Sequence, residues 1–112
     1  MSDFFITPQS LCAAMATAQA PQIIDVRRRH IYDAADAVIP GAVWRDTFQV
    51  AAWKSDLEKS RPIVVACVHG EEMSQSAVTH LRSDGFDARA LQGGYDAWTA
   101  ANLPLVAKKP SP

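Results

Sequence analysis

The chain of 112 residues holds only two cysteines, and that scarcity removes several readings at once. Cys12 and Cys67 make no disulfide framework and fit a reducing compartment, so a cytoplasmic location is expected. His30, His69 and His80 are scattered. No Cys/His spacing resembles a zinc site, and neither a metal nor another cofactor is expected. A surplus of charge is missing as well. The net charge of −1 gives no electrostatic case for nucleic acid or an anionic membrane. No apolar run approaches the ~20 residues that a spanning helix needs. Asp3 and the lack of a basic region before the first apolar stretch argue against a secretion signal. Repeats and internal linkers are also absent. The length suits one domain with a real core. It is expected over residues 1–106, with a polar, proline-containing tail at residues 107–112 that frays.

What the chain does have is an alternation of strand and helix signals. Thr7-Pro8 is a good helix start and precedes an alanine-rich helix over residues 10–18, in which Cys12 reads as a small core residue. Residues 22–26 form a β-branched run after Pro21, hence a strand. Pro40-Gly41 marks a turn, residues 42–44 a short strand and residues 47–54 a helix. The four consecutive apolar residues Ile63-Val64-Val65-Ala66 read as a central, doubly covered parallel strand. A helix is expected over residues 74–84, with Ala77, Val78 and Leu81 on one face and Gly85 as its stop. Residues 86–91 give a last strand, and Gly93-Gly94 opens a last helix. Alternating units of this kind predict an α/β sandwich with a mainly parallel central sheet flanked by helices.

Cys67 lies where the apolar strand runs out into a loop before a helix. Unpaired backbone N–H groups at such a helix N-terminus face whatever anion occupies the place, so a thiolate there is favoured. Two readings of Cys67 stand on this context alone: a nucleophile, or a buried structural cysteine. Ligand sites in parallel sheets lie outside the carboxyl ends of the strands. The ends after Val26 and Ala66 converge there, which brings Arg27 towards Cys67.

Several segments together resemble a single-domain rhodanese. They are Asp25-Val26-Arg27, Ile39-Pro40-Gly41-Ala42, Cys67-x-x-Gly70 after an apolar strand, and Leu91-Gln92-Gly93-Gly94-Tyr95-Asp96-Ala97-Trp98 with Leu103-Pro104. They occur in the family order over about residues 4–105. The small members whose loop reads Cys-x-His-Gly are the most similar. The resemblance implies a rhodanese-like three-layer sandwich and a sulfurtransferase in which Cys67 carries persulfide sulfur. Its partners would be a small-molecule or protein sulfur donor and acceptor, with thiosulfate as one donor and cyanide or a thiol as acceptor. Val68, His69, Gly70, Glu71, Glu72, Met73 and Ser74 would then form the active-site loop. Its backbone N–H groups are suited to an anionic persulfide.

The loop departs from the family in charge. Many thiosulfate-using loops carry an arginine or lysine, whereas this one has Glu71 and Glu72. Carboxylates beside a dianion repel it, so either they point outward or thiosulfate is a poor donor. That leaves open an alternative, a catalytically weak rhodanese-like module that binds or senses redox state through Cys67. A phosphatase or arsenate reductase needs Cys-x5-Arg to clamp a tetrahedral oxyanion, and Met73 stands in that place. The family's Gly-His before Ile-Pro-Gly is Ala37-Val38 here, and the segment from Asp25 to Pro40 is slightly long.

Other side chains admit two readings each. Ser74, with Ser76 as a second candidate, either donates to the sulfur or only caps the helix. His69 either relays a proton or lines the rim passively. Arg27 either helps hold the loop or pairs with Asp25, both being supporting residues ahead of any direct role with substrate. Arg45 is a candidate replacement for the missing loop cation, or else a surface partner of Asp46 or Asp56. Arg28 and Arg29 read as solvated charge or as a basic rim that draws in an anionic donor, and Trp44 and Trp53 as core or as an apolar wall beside the loop.

Overall fold

A strand with no polar face needs cover on both sides, and the run from Ile63 to Ala66 has it. The computed structural model describes residues 4–69 and 72–108. In chain order its elements are β1 (Phe5–Ile6), α1 (Pro8–Met15), β2 (Gln22–Asp25), α2 (Arg29–Ala34), β3 (Ala37–Val38), β4 (Val43–Trp44), α3 (Val50–Trp53), β5 (Ile63–Ala66), α4 (Glu72–Ser83), β6 (Ala88–Leu91), α5 (Gly94–Ala100) and β7 (Val106–Ala107). Strand β5 is buried at all four positions. It is the middle of a five-stranded sheet of order β1-β6-β5-β2-β4, in which every pairing is parallel.

Alternation along β5 sorts the core into two layers. Ile63 and Val65 pack with Val50 and Trp53 of α3 and with Ala77, Val78 and Leu81 of α4. Val64 and Ala66 pack on the opposite face with Leu11 of α1 and with Tyr95 and Trp98 of α5. The molecule is thus a three-layer α/β sandwich. The same parity carries Cys67 onto the α4 face, where it joins the cluster of Ile63 and Val65.

Local chemistry explains most element boundaries. Helix α1 starts at Pro8 because the Thr7 side chain accepts a hydrogen bond from Ser10 N at 3.1 Å. The expected helix over residues 47–54 is broken: Val50–Trp53 is α-helical between two 3₁₀ turns, Thr47–Gln49 and Lys54–Asp56. Asp46 caps the first of these by accepting from Phe48 N at 2.9 Å. Helix α4 begins at Glu72, earlier than residue 74, with the acidic side chain in its first turn. Helix α2, together with β3, fills the slightly long segment before Pro40.

The C-terminal boundary needs a correction. Ala107, expected in a fraying tail, pairs with Ala37 in an antiparallel two-stranded sheet of β3 and β7. Lys108 N donates to Asp36 O at 2.9 Å, and its Nζ donates to Tyr32 O at 2.7 Å and Asp33 O at 2.9 Å. Backbone pairing and a lysine among carbonyls hold what composition alone marked as loose. Residues 109–112 of that tail lie outside the described residues. Among the described residues, no helix is long and apolar enough to cross a membrane.

Gly93 is the residue for which the fold leaves no substitute. It has φ 75°, and a Cβ placed on it would lie 2.4 Å from the Ala97 Cβ. Gly93→Ala therefore combines left-handed backbone strain of ~1–2 kcal/mol with a clash of ~1–3 kcal/mol. The expected loss is about 2–5 kcal/mol in urea unfolding. A loss below about 1 kcal/mol would show that α5 shifts to accept the methyl group.

Candidate active site

Because all five strands of the main sheet run the same way, their carboxyl ends open on one edge. A cleft of about 330 Å³ lies there, lined by Arg27, Arg28, Ile31, Cys67, Val68, His69, Glu72 and Met73. Arg27 follows β2 and Cys67 follows β5, and these strands are neighbours paired at Asp25 and Ala66. The convergence of the two strand ends read from the sequence is present.

Cys67 is 5% exposed, so its sulfur reaches the cleft from a nearly closed position. The Sγ–H donates to Ser74 Oγ at 3.3 Å. Ser74 is the third residue of α4 and fully buried. It therefore touches the thiol from inside the helix and is not the N-cap. Ser76 is exposed. The sulfur sits against the first turn of a 12-residue helix, where backbone N–H groups lack partners within the helix and the dipole favours negative charge. Carbonyls of the loop turn the other way. Cys67 O accepts from Tyr95 N at 2.8 Å and Val68 O accepts from Asp96 N at 2.9 Å, both in α5.

Behind the cleft is a buried ion pair. Asp25 and Arg27 are 0% and 6% exposed. The guanidinium donates from Nη2 to Asp25 Oδ2 at 2.7 Å and from Nε to both carboxylate oxygens at 3.1 Å, and Arg27 N donates to Oδ1 at 3.0 Å. The guanidinium carbon lies 3.7 Å from the centre of the Tyr95 ring, a close cation–π contact. Burial, reinforced by the charge of Asp25, pushes the Tyr95 phenol above its ordinary range. The hydroxyl accepts from Ile39 N at 3.2 Å, and Trp44 Nε1 donates to Arg27 O at 2.7 Å. Together these contacts fix Arg27, which is why it lines the cleft without swinging into it.

Of the residues singled out in the sequence, the cleft gathers Cys67, Val68, His69, Glu72, Met73 and Arg27, with Ser74 behind the thiol and Asp25 behind Arg27. Gly70 and Glu71 lie outside the described residues. Arg45 is not part of the cleft. Its Nη2 pairs with Asp56 Oδ2 at 3.5 Å, and it lines a separate depression beside Pro40, Gly41 and Arg61. β4 is an edge strand, and β2 stands between it and β5, the strand that leads to Cys67. Arg28, read as solvated charge or as a basic rim, is exposed and lines the cleft, as does Ile31 of α2. Trp53 is core, donating from Nε1 to Asp46 O at 2.8 Å. Trp44 is half-buried against Tyr32, with ring centres 5.7 Å apart. His69 is tied to Asp96, Nδ1 to Oδ2 at 2.6 Å, a partner that sequence reading did not find. The two are distant in sequence and neither belongs to an apolar pattern.

With this geometry in view, the comparisons with known proteins agree with one another. The thiosulfate sulfurtransferase GlpE of Shewanella oneidensis is 33% identical over 103 residues, covering 91% of this chain and 99% of that protein. Its counterpart in Pseudomonas fluorescens is 34% identical over 99 residues, covering 88% and 87%. A rhodanese-related protein from Thermoplasma volcanium superposes with a TM-score of 0.78 at 23% identity, covering 90% of this chain and 95% of that one. Residues 7–101 match the Rhodanese-like domain. The chain belongs to the rhodanese-like domain family.

Proposed function

We propose that this rhodanese-type sulfurtransferase carries sulfane sulfur on Cys67, taking it from thiosulfate or another persulfide source and passing it to a thiol or cyanide. The observation that carries the reading is the position of the Cys67 sulfur in an open cleft at the first turn of α4, 3.3 Å from a buried hydroxyl. The thiolate attacks the outer sulfur of thiosulfate. The S–S bond breaks, and sulfite leaves with the bonding electrons. The anionic Cys67 persulfide that remains meets the positive end of α4. Once Cys67 is deprotonated, the Ser74 O–H donates to it, reversing the hydrogen bond seen with the thiol. An acceptor then attacks the terminal sulfur and releases the Cys67 thiolate. The relatives' name, thiosulfate sulfurtransferase, supports the donor class. The test is mass spectrometry of the intact protein and its peptides after incubation with thiosulfate. One added sulfur on the Cys67 peptide is the expected result; no adduct, or an adduct on Cys12, would overturn it.

Charge at the cleft sets how well a dianion enters. Arg28 and Glu72 are exposed and line the same cleft with opposite signs, while Arg27 is neutralised by Asp25. Glu72→Arg is expected to raise kcat/KM for thiosulfate by about tenfold, or about 1.4 kcal/mol, mainly through KM. The gain should shrink as salt is added. Unchanged steady-state kinetics would show that Glu72 does not limit donor entry.

A further inference from the structure

We infer that His69, held by Asp96, is the base that activates a thiol acceptor at the Cys67 cleft. The inference rests on the persulfide reading above and adds a residue and an acceptor class to it. His69 stands two residues after the nucleophile and lines the cleft. An exposed histidine at a loop rim needs no function, but this one is held in place. Its Nδ1 meets Asp96 Oδ2 at 2.6 Å, and Asp96 is itself anchored, its backbone N donating to Val68 O at 2.9 Å. The contact thus joins the loop that carries the nucleophile to the first turn of α5 at two points.

The contact with Asp96 also chooses the tautomer. With Nδ1–H donated to the carboxylate, the neutral ring keeps its lone pair on Nε2, the edge away from Asp96. The carboxylate orients the ring. Among the described residues, Arg27, Arg28 and Glu72 are the other charged groups lining this cleft. Glu72 is a carboxylate next to an anionic persulfide and accepts no proton from a thiol as readily as an imidazole does. The guanidinium groups of both arginines are donors with no acceptor. His69 is therefore the group in the described cleft whose ring nitrogen is suited to take a proton.

A thiol acceptor needs that step. An ordinary thiol has a pKa of about 8.5 and is only a few per cent thiolate at pH 7. His69 Nε2 takes the proton from the acceptor S–H. The resulting thiolate attacks the terminal sulfur of the Cys67 persulfide, the S–S bond breaks, and its electrons return to Cys67 as thiolate. The acceptor leaves as a persulfide, and the proton on His69 passes to it or to water. Sulfite, which discharges the persulfide by the reverse of thiosulfate donation, brings a lone pair on sulfur and needs no base. Asp96 is a positioning residue that acts through His69.

The experiment loads the wild type, His69→Gln and Asp96→Asn with sulfur from thiosulfate. It then measures single-turnover discharge by 2-mercaptoethanol, by an acidic aryl thiol and by sulfite at pH 7. The rate ratio of 2-mercaptoethanol to sulfite is expected to fall about tenfold to a hundredfold in His69→Gln, and by a smaller factor in Asp96→Asn. The aryl thiol, already ionised, should show little of this change. A ratio that stays constant in His69→Gln, whether both rates fall together because the loop is disturbed or neither falls, would overturn the inference. Wild-type protein that takes up no sulfur would overturn the persulfide reading along with it.

Discussion

Cys67→Ser is expected to abolish sulfur transfer, with thiosulfate:cyanide turnover falling by at least about a thousandfold, while Cys12→Ser leaves it nearly intact. Serine keeps the size of the side chain at the first turn of α4. It cannot form a persulfide, and an alkoxide at neutral pH is far scarcer than a thiolate. Among the described residues nothing in the cleft replaces it: Ser74 is buried behind the sulfur, and Met73 is a thioether. Cys12 sits within α1, half-buried against the Leu11 and Trp98 layer on the opposite face of the sheet. Its replacement changes packing slightly and leaves the cleft alone. Steady-state assays paired with melting curves check both variants. Equal losses of activity in the two would remove Cys67 from its role.

Asp25→Ala is expected to cost about 3–5 kcal/mol of stability, because it leaves a buried guanidinium without its counter-charge. Asp25 accepts from Arg27 Nε, Nη2 and N, and both residues are nearly inaccessible. Its carboxylate also acts on the Tyr95 phenol, so more than one contact is lost with it. The Tyr95 face that receives the guanidinium does not replace the lost hydrogen bonds. Urea unfolding of Asp25→Ala, Arg27→Met and the double variant tests this as a thermodynamic cycle. The double variant should be less destabilised than the sum of the two singles, and Arg27→Met milder than Asp25→Ala. A cost below about 1 kcal/mol for Asp25→Ala would mean that water reaches Arg27 through the cleft.

The centre of the fold was legible in the sequence because its chemistry is local. Four apolar residues in a row require a doubly covered strand, and β5 is one. The spacing of Ala77, Val78 and Leu81 names the buried face of α4, and the strand ends that bring Arg27 and Cys67 together follow from a parallel sheet. What escaped depended on partners far along the chain. No residue of α2 is fully buried, so it carries no apolar stripe to read. Strands β1, β3 and β7 are two residues each, too short for alternation to show. For Arg45 the sequence left two readings open, and its pairing with Asp56 is the one present, a choice that strand order and not neighbouring residues decides. The His69–Asp96 pair needed the three-dimensional meeting of a loop and a helix start.

The small sheet of β3 and β7 has a kinetic meaning. Most of the chain lies between Ala37 and Ala107, so closing that contact costs loop entropy, whereas its ladder is only two residues long. Folding cannot begin there; it must follow the assembly of β2, β5 and β6, whose crossover units are closer in sequence. Lys108 completes the clasp by gripping Tyr32 and Asp33 of α2. Ile31, on the same short helix, lines the cleft. The far end of the chain thus closes over a wall of the cysteine cleft, and that wall is the part of the molecule that sets last and loosens first.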